Sequence, residues 1–471
     1  MTIEVIKFIL NIVEIFFIIY LIGYSSFLFI SVVIGSITLY KQKRLKKLKE
    51  KLETNYDIPV SIIVPAHNEE ITVIDTVNSL LELEYSKYEI IVVDDGSKDS
   101  TSRKLIEYFE MHKVNRPIEK VIKCKQEEYV YETNSLKVPL TVVRKRNGGK
   151  ADALNMGINL SQYPYFICMD ADSVLQYDSL KNITLPFRER EDIVACGGLI
   201  RISNDIEFEK GRVKKYRLPK KVLTAMQVLE YDRSFFASRI MLDGFNGNLI
   251  ISGAFGLFKK EIVVAVGGYD TNTVGEDMEL VMKLHVFLKL NKIPYSIKYV
   301  PDAICWSQAP EKLGDLIKQR RRWHMGLFQS IGKYKEMFLN MKFGTLSFIS
   351  YLYFLIYELL SPLIEITGIV VTIISFMVNL INVNFMIIFF LLYAAFGAIL
   401  SLTIFLARVY VQDSKLSFID FIRALFLCFI EIAGLRQIMS IARMTAFIGY
   451  KKRKLQWEDL TRKEQKITIN S

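Results

Sequence analysis

The longest uncharged stretch of the sequence constrains the fold more than any other feature. Residues 366–407 are 42 consecutive uncharged positions, and a helix needs about 20 apolar residues to cross a bilayer. The stretch therefore predicts two membrane crossings, with Asn379, Asn382 and Asn384 in the polar turn between them. A buried helix of a soluble domain is the alternative, and the length of the stretch disfavours it.

A second apolar stretch, at the N-terminus, predicts a transmembrane helix over residues 5–40. Residues 16–40 carry no charge, and the stretch is too long for a signal peptide and lacks a small-residue cleavage pattern. The basic run 41–51 follows directly, and the positive-inside rule places such a cluster on the cytosolic side. We therefore expect a multi-pass protein of the plasma membrane whose large middle region is cytosolic.

Charge and cysteine usage narrow the classes of function. The net charge is +11, but the densest basic clusters, 41–51 and 451–454, adjoin apolar segments. They predict contact with the phosphates of a lipid bilayer and no binding of nucleic acid. The five cysteines are scattered and lack metal-ligand spacing, which is typical of reduced or buried thiols.

The charged middle of the chain, residues 52–340, reads as alternating strands and helices. This pattern predicts an α/β domain with a mostly parallel sheet. Short β-branched runs at 60–64 and 89–93 enclose a helical pattern at 71–81, which together predict a βαβ unit. The charged insertion 113–140 carries no recognisable motif.

The C-terminal part of the chain, residues 343–449, is expected to hold interfacial and transmembrane helices, followed by a basic cytosolic tail over 450–471. Arg436 and Arg443 are seven residues apart and so share a helical face. Charged residues at membrane depth face protein or water. These arginines therefore line a channel, snorkel to the membrane interface or pair with Glu431.

Polar residues follow the predicted strands at the sheet edge where α/β proteins bind nucleotides. Asp94 and Asp95 can accept hydrogen bonds from a base or a ribose, although an Asx turn explains them equally well. Asp170 and Asp172 would repel each other unless a divalent cation bridged them to a diphosphate, and their oxygens suit Mg²⁺ or Mn²⁺. Lys150 follows two glycines at a predicted helix start, which is either an anion site or a plain glycine turn. The candidates for nucleotide binding at this edge are Pro65, Ala66, Asn68, Glu69, Asp94, Asp95, Lys150, Asp170, Ala171 and Asp172.

Two further motifs supply a candidate base and a candidate acceptor site. An acidic pair opens a predicted helix, where it either complements the helix dipole or places a general base beside an acceptor hydroxyl. A Gln-x-x-Arg-Trp motif precedes the membrane segment, where it either anchors the interface or holds a diphosphate and a sugar ring. The residues concerned are Glu276 and Asp277 for catalysis, Gln319 and Arg322 for the donor, and Ser252, Gly253 and Trp323 for the acceptor.

In this order, the motifs resemble those of the membrane-integrated, processive family-two glycosyltransferases, such as the cellulose, hyaluronan, chitin, mixed-linkage glucan and poly-N-acetylglucosamine synthases. The likeness covers residues 58–330. It implies an α/β GT-A catalytic domain, Rossmann-like and cytosolic, embedded between N-terminal and C-terminal transmembrane helices. By this resemblance Asp95 would contact uridine, Asp170 and Asp172 would bind UDP and its metal, Asp277 would be the base, and Gln319, Arg322 and Trp323 would hold the diphosphate and the acceptor end.

The resemblance implies a processive, inverting enzyme that polymerises a UDP-hexose into a linear β-linked polysaccharide, with glucose slightly favoured over N-acetylglucosamine. The growing glycan chain would leave through the enzyme's own transmembrane channel, and accessory secretion subunits are possible partners. The alternatives are a non-processive enzyme that adds one sugar to a lipid-linked acceptor, and a channel or sensor without turnover. Gly275 departs from the family pattern, which often has Thr there, and neither a gating-loop motif nor a cyclic-dinucleotide receptor module is recognisable.

Overall fold

The computed structural model of the protein describes residues 3–49, 56–133, 135–209, 211–377, 382–411, 417–448 and 467–468. The predicted turn residue Asn379, the end of the basic run 41–51 and nearly all of the tail 450–471 lie outside these described residues.

The described chain combines helices at both ends with an α/β middle. The α-helices are α1 (Ile3–Lys49), α2 (Val73–Leu81), α3 (Thr101–Tyr108), α4 (Lys150–Leu160), α5 (Ser179–Glu189), α6 (Val222–Arg233), α7 (Arg239–Asp243), α8 (Lys260–Ala265), α9 (Glu276–Leu290), α10 (Leu313–Lys333), α11 (Ser361–Met377), α12 (Val383–Val411), α13 (Phe418–Ile430) and α14 (Arg436–Met444). The strands are β1 (Val60–Ala66), β2 (Tyr88–Asp94), β3 (His112–Val114), β4 (Glu127–Thr133), β5 (Leu140–Lys145), β6 (Tyr165–Met169), β7 (Val174–Leu175), β8 (Ile193–Ile202), β9 (Glu207–Glu209), β10 (Arg212–Lys215), β11 (Phe255–Lys259), β12 (Ser296–Ser307) and β13 (Ile467–Thr468). Shorter 3₁₀ or π-helical turns lie at Ser234–Ser238, Lys335–Met337, Met341–Phe343, Leu346–Tyr351, Phe354–Leu359, Glu431–Leu435 and Thr445–Phe447.

A ten-stranded sheet with the order β3-β4-β5-β2-β1-β6-β11-β8-β12-β7 forms the core. Strands β5, β2, β1 and β6 run parallel, so their carboxyl ends meet at one edge. Both β1 and β2 are buried along their whole length, which explains why apolar residues dominate their sequences. The predicted βαβ unit is present as β1, α2 and β2.

The insertion 113–140 extends this sheet at one side. Strand β3 pairs antiparallel with β4, and β4 pairs antiparallel with β5. The exposed and buried positions of β4 are mixed, as expected for a strand near the edge of a sheet that faces water on one side. The insertion therefore completes the sheet and does not form a separate unit.

Among the described residues, two helices are long and apolar enough to cross a membrane, namely residues 12–44 of α1 and the whole of α12. A third crossing arises if Leu346–Leu359 and α11 form one span, because these segments meet at a bend of 47°. The bend lies beside Pro362, which occupies the first turn of α11, where its missing N–H leaves no hydrogen bond unmade.

The N-terminal helix packs directly on the α/β domain. A Cβ atom at Gly35 would lie 2.1 Å from the carbonyl oxygen of Phe236, so the backbones approach to a distance that only glycine allows. Leu28 and Val32 of α1 and Ile404 of α12 belong to the same apolar core as the sheet residues. The membrane helices and the α/β domain are therefore parts of one packed body.

Candidate functional site

Asp95 is a buried carboxylate that holds the glycine loop after β5. It accepts hydrogen bonds from the backbone N–H groups of Gly148, at 2.9 Å, and Gly149, at 2.6 Å, and from the Lys145 ammonium. Lys145 is also buried, and its Nζ lies 2.6 Å from Asp152. Asp95 therefore organises the loop that begins α4, while its predicted contact with uridine stays a prediction.

The turns after β1 and β2 are joined by hydrogen bonds. The carboxylate of Asp94 accepts the N–H of Ser97 at 2.7 Å, and Asn68 Oδ1 accepts the N–H of Lys98 at 2.9 Å. Asn68 itself has a φ of 56°, a left-handed conformation that asparagine tolerates better than most residues. Of the candidates on these two turns, Glu69 lines the central cavity, whereas Pro65, Ala66, Asn68, Asp94 and Asp95 are not among its lining residues.

The central cavity has a volume of about 490 Å³ and runs from the carboxyl edge of the sheet to the space between the membrane helices. It brings the remaining candidate residues together, although they are distant in sequence. Those that line it are Glu69, Lys150, Asp170, Ala171, Asp172, Ser252, Gly253, Glu276, Asp277, Gln319, Arg322 and Trp323.

Lys150 is the centre of a charged cluster on the cavity wall. Its Nζ lies 2.5 Å from Asp170 Oδ1 and 3.6 Å from Glu276 Oε1. Burial alone would lower the pKa of Lys150, but the charges of Asp170 and Glu276 outweigh burial and raise this pKa above its ordinary value. The lysine is therefore a fixed positive charge at the start of α4.

Gly253 connects this lysine to the candidate base. Its N–H donates to Asp277 Oδ2 at 3.0 Å, and its carbonyl oxygen accepts from Lys150 Nζ at 3.4 Å. Asp277 Oδ1 accepts the N–H of Met278 at 2.8 Å, so backbone groups orient both carboxylate oxygens. A Cβ atom at Gly253 would lie 3.0 Å from Lys150 Nζ. The glycine at position 253 thus leaves room for Lys150 beside Asp277, the candidate base.

Glu276 is the residue directly before Asp277, the candidate base. Burial raises the pKa of its carboxyl group; Lys150 opposes this rise and Asp277 adds to it. Asp277, whose oxygens face the cavity and the Gly253 backbone, is the better placed of the two to accept a proton.

Asp170 and Asp172 fit a divalent cation in their donor chemistry. Both line the cavity, and their oxygens are the hard ligands that Mg²⁺ and Mn²⁺ prefer. Within the described ranges, no group of three or more His, Cys, Asp or Glu side chains is placed to hold a metal. Diphosphate oxygens and water would therefore supply the other ligands, as is usual for Mg²⁺. A cation held there supplies positive charge to a departing diphosphate.

Helix α10 places the Gln-x-x-Arg-Trp motif next to Asp277, the candidate base. A Cβ atom at Gly326 would lie 2.7 Å from the Cα atom of Gly275, so α10 crosses the start of α9 in backbone contact. The side chain of Gln329 also accepts the N–H of Val274 at 3.0 Å. Sequence reasoning missed both residues, although Gly326, three positions after Trp323, lies on the same helical face and was a usable signal.

Trp323 presents its ring to the cavity and is 42% exposed. The Arg320 guanidinium lies 4.4 Å from the ring centroid and also bonds Glu230 at 2.8 Å. Tyr231 flanks the indole with a centroid distance of 6.4 Å. The tryptophan is thus supported from behind by residues that the motif did not indicate, and one part of its surface remains free to contact a ligand.

His324, the next residue, also lines the cavity but is buried against Phe447, with ring centroids 5.5 Å apart. Burial lowers the pKa of its imidazole to about 4, and Arg443 contributes in the same direction. The side chain is therefore neutral at physiological pH. The sequence assigned it no role, and the structure shows it mainly as a packing residue of α10.

The membrane half of the cavity is lined by aromatic rings and paired charges. Arg436 pairs with Glu365 at 2.7 Å, and Glu431 pairs with Arg233 through two contacts of 2.8 and 2.9 Å. The predicted alternative in which Arg436 pairs with Glu431 is therefore wrong, because Arg233 of α6 already occupies that carboxylate. Arg443 also lines the cavity, so both arginines face protein rather than lipid.

Three π-helical turns, at 234–238, 354–359 and 431–435, contribute side chains to this membrane half of the cavity. A π-helical turn inserts an extra residue into a helix and occurs often at functional sites. Phe27 of α1 stacks on Tyr353 with ring centroids 4.1 Å apart, and both line the cavity. Aromatic faces and neutralised charges together make a wall that suits a polar, uncharged chain.

Comparison with protein families gives two overlapping matches along the chain. Residues 61–267 match the model described as glycosyl transferase family 2, and residues 165–402 match the model described as glycosyl transferase family group 2. Together these ranges include every candidate site residue of the cavity. The mixed sheet and these matches confirm the expected GT-A catalytic domain with apolar helices on either side.

Comparison with individual proteins agrees with the family matches. The chain is 31% identical over 329 residues to a poly-beta-1,6-N-acetyl-D-glucosamine synthase of Staphylococcus aureus, covering 69% of this chain and 68% of that protein. It is 32% identical over 310 residues to the synthase of the same description from Staphylococcus epidermidis, covering 65% and 64%. A solved mannosyltransferase from Pyrobaculum calidifontis, in complex with GDP-Man and Mn²⁺, aligns over 92% of this chain and 100% of its own, with 16% identity and a TM-score of 0.49. The chain belongs to glycosyl transferase family 2 and is a synthase-like glycosyltransferase of that family.

Proposed function

We propose that the protein is a processive, inverting enzyme that transfers a sugar from a UDP-sugar to the end of a β-linked polysaccharide and exports the chain through its own membrane helices. The observation that carries the proposal is the continuity of the cavity, which joins Asp170, Asp277 and Trp323 to Tyr24, Tyr353 and Arg436 in one space. An acceptor end at Trp323 and a product path between the helices are then parts of the same site. The catalytic domain would face the cytosol, where nucleotide sugars are made.

In the proposed reaction, Asp277 removes the proton from the acceptor hydroxyl as that oxygen attacks the anomeric carbon. Backbone N–H groups of Gly253 and Met278 keep the carboxylate oriented for this step. Lys150 and Arg322, both on the cavity wall, would donate charged hydrogen bonds to the diphosphate that leaves. Attack from the side opposite the leaving group converts an α-linked donor into a β-glycoside.

The donor is proposed to be UDP-N-acetylglucosamine, with UDP-glucose as the alternative. The residues of the cavity do not distinguish the two sugars, and the sequence alone favoured glucose slightly. The relatives that are named as poly-beta-1,6-N-acetyl-D-glucosamine synthases, at 31–32% identity, move the preference to N-acetylglucosamine.

The test is UDP release by the purified, detergent-solubilised protein with a panel of UDP-sugars, with and without Mg²⁺ or Mn²⁺. We expect release with one donor, loss of activity in EDTA, and a polymer that a linkage-specific hydrolase digests. Release accompanied only by single-sugar products on a lipid would favour the non-processive alternative. No release with any donor would contradict the proposal.

Replacement of Trp323 by alanine should shorten the product. Stacking on an aromatic platform is worth about 0.5–1.5 kcal/mol, so the acceptor should dissociate up to about tenfold more often between additions. The mean chain length on a gel should fall by a similar factor, while the initial rate of UDP release changes less. Trp323→Phe keeps a flat apolar face and should retain most of the length. An unchanged length distribution in Trp323→Ala would show that the ring does not hold the chain.

A further inference from the structure

Lys150 and a divalent cation would share one carboxylate. The lysine ammonium lies 2.5 Å from Asp170 Oδ1, and a bound Mg²⁺ or Mn²⁺ would need an oxygen of the same side chain at about 2.1 Å. Two positive groups on one carboxylate repel each other at this separation. Binding of a cation is therefore expected to weaken the observed ion pair.

The surroundings of Lys150 hold its ammonium in this position. Carboxylates on two segments of the fold contact it, namely Asp170 after β6, at 2.5 Å, and Glu276 at the start of α9, at 3.6 Å. The carbonyl oxygen of Gly253 is a further acceptor at 3.4 Å. The side chain of Lys150 is only 18% exposed, so water screens these attractions weakly.

Lys150 also lies at a position that favours a phosphate partner. It is the first residue of α4, directly after Gly149, whose φ of 89° turns the chain into the helix. A helix N-terminus after glycines favours anions such as phosphate. Lysine carries its charge on a flexible stem, so the ammonium can change from a carboxylate to a phosphate partner without movement of the helix.

We propose that Lys150 is the resident counter-ion of Asp170, and that a divalent cation displaces it efficiently only when a nucleoside diphosphate arrives to pair with the released ammonium. The inference rests on the proposed UDP-sugar donor and adds an order to its binding. Cation and nucleotide then bind with positive coupling, and each strengthens the other by the same factor. The lysine would prevent the acidic cluster from retaining a cation that has no substrate.

The test measures Mn²⁺ binding to the full-length protein in detergent, from the electron paramagnetic resonance signal of free Mn²⁺, with and without UDP. For the wild type, we expect UDP to tighten Mn²⁺ binding at least about tenfold. In Lys150→Met, Mn²⁺ without UDP should bind at least about tenfold more tightly than to the wild type, because the competing charge is gone. Lys150→Arg keeps that charge and should behave like the wild type.

Lys289→Met is the matched control, since Lys289 is exposed at the far end of α9, and its Mn²⁺ binding should be unchanged. The double variant Lys150→Met with Asp170→Asn should lose the gain. Equal Mn²⁺ affinity of the wild type with and without UDP would overturn the coupling, a result that needs no variant to fold. Equal UDP-free affinity of wild type and Lys150→Met would overturn the competition. Failure of the donor assignment is a separate result, seen as absence of binding of radiolabelled UDP in equilibrium dialysis.

Discussion

Asp277→Asn is expected to reduce the rate of glycosyl transfer by about 10² to 10⁴, the range that a general base contributes. The asparagine side chain has the same shape but cannot take the proton of the acceptor hydroxyl. The wild-type carboxylate accepts N–H groups from Gly253 and Met278, and the amide can keep one of these contacts. The measurement is the turnover number for polymer formation at saturating donor.

The control for this prediction separates chemistry from donor binding. The affinity for UDP, measured by calorimetry in the presence of Mn²⁺, should change by less than about threefold, because Asp277 has no assigned contact with the diphosphate. Asp315→Asn, at the start of α10 and remote from the base, makes the same chemical change and should leave the rate unaffected. A rate within tenfold of the wild type would remove Asp277 as the base, and an equal loss of UDP binding would assign it to the donor.

Asp232→Asn should cause the largest loss of stability among single substitutions at the junction of the catalytic and membrane parts. Asp232 of α6 is buried and lies 2.9 Å from Nε of Arg408 on α12, whose side chain is fully buried. The positive charge of Arg201 also attracts the Asp232 carboxylate. The Arg201 guanidinium lies 4.2 Å from the centroid of the Trp306 ring. The substitution removes the negative charge shared by two buried guanidinium groups, a change that costs about 3–5 kcal/mol when one partner of a buried pair is lost.

This effect is measurable as a fall in the midpoint of thermal unfolding in detergent, expected to be at least about 5 °C. The double variant Asp232→Asn with Arg408→Met removes one unpaired charge and should recover part of the loss. Asp315→Asn serves again as the control: Asp315 is half-buried and lies 3.7 Å from the exposed Lys318, and the midpoint should stay close to that of the wild type. A wild-type midpoint in Asp232→Asn would mean that solvent reaches the two arginines and that the junction is not dry.

The first two strands of the catalytic domain were predictable because apolar residues dominate them. Strands β1 and β2 are buried along their length, so burial on both faces leaves a clear signal in the sequence. Strand β4 is mostly half-buried and includes charged residues, and this weaker pattern hides a strand near the sheet edge inside an insertion without a recognisable motif. Pairing with β5, a long-range event, is what stabilises it.

The sequence indicated most of the residues that share the cavity, but not Pro65, Ala66, Asn68, Asp94 and Asp95, which do not line it, and it indicated few of the contacts. The spacing of Asp170, Asp277 and Trp323 relative to strand and helix ends indicated that they belong together. The sequence does not reveal that Lys150 pairs with Asp170 or that Arg436 pairs with Glu365, since each contact depends on how separate segments cross in space. Asp95 illustrates the same limit, because its burial beneath the glycine loop follows from the fold of β5 and α4.

The backbone contact at Gly35 bears on how such an enzyme can evolve. A helix that merely tethers a catalytic domain can be exchanged for another anchor, or lost to give a soluble enzyme. Here any side chain larger than hydrogen at position 35 would collide with Phe236, and the turn that contains Phe236 also lines the cavity through Phe235 and Ser238. Exchange of the first helix would therefore disturb the wall of the active centre, so the anchor and the catalytic domain must be inherited as a unit.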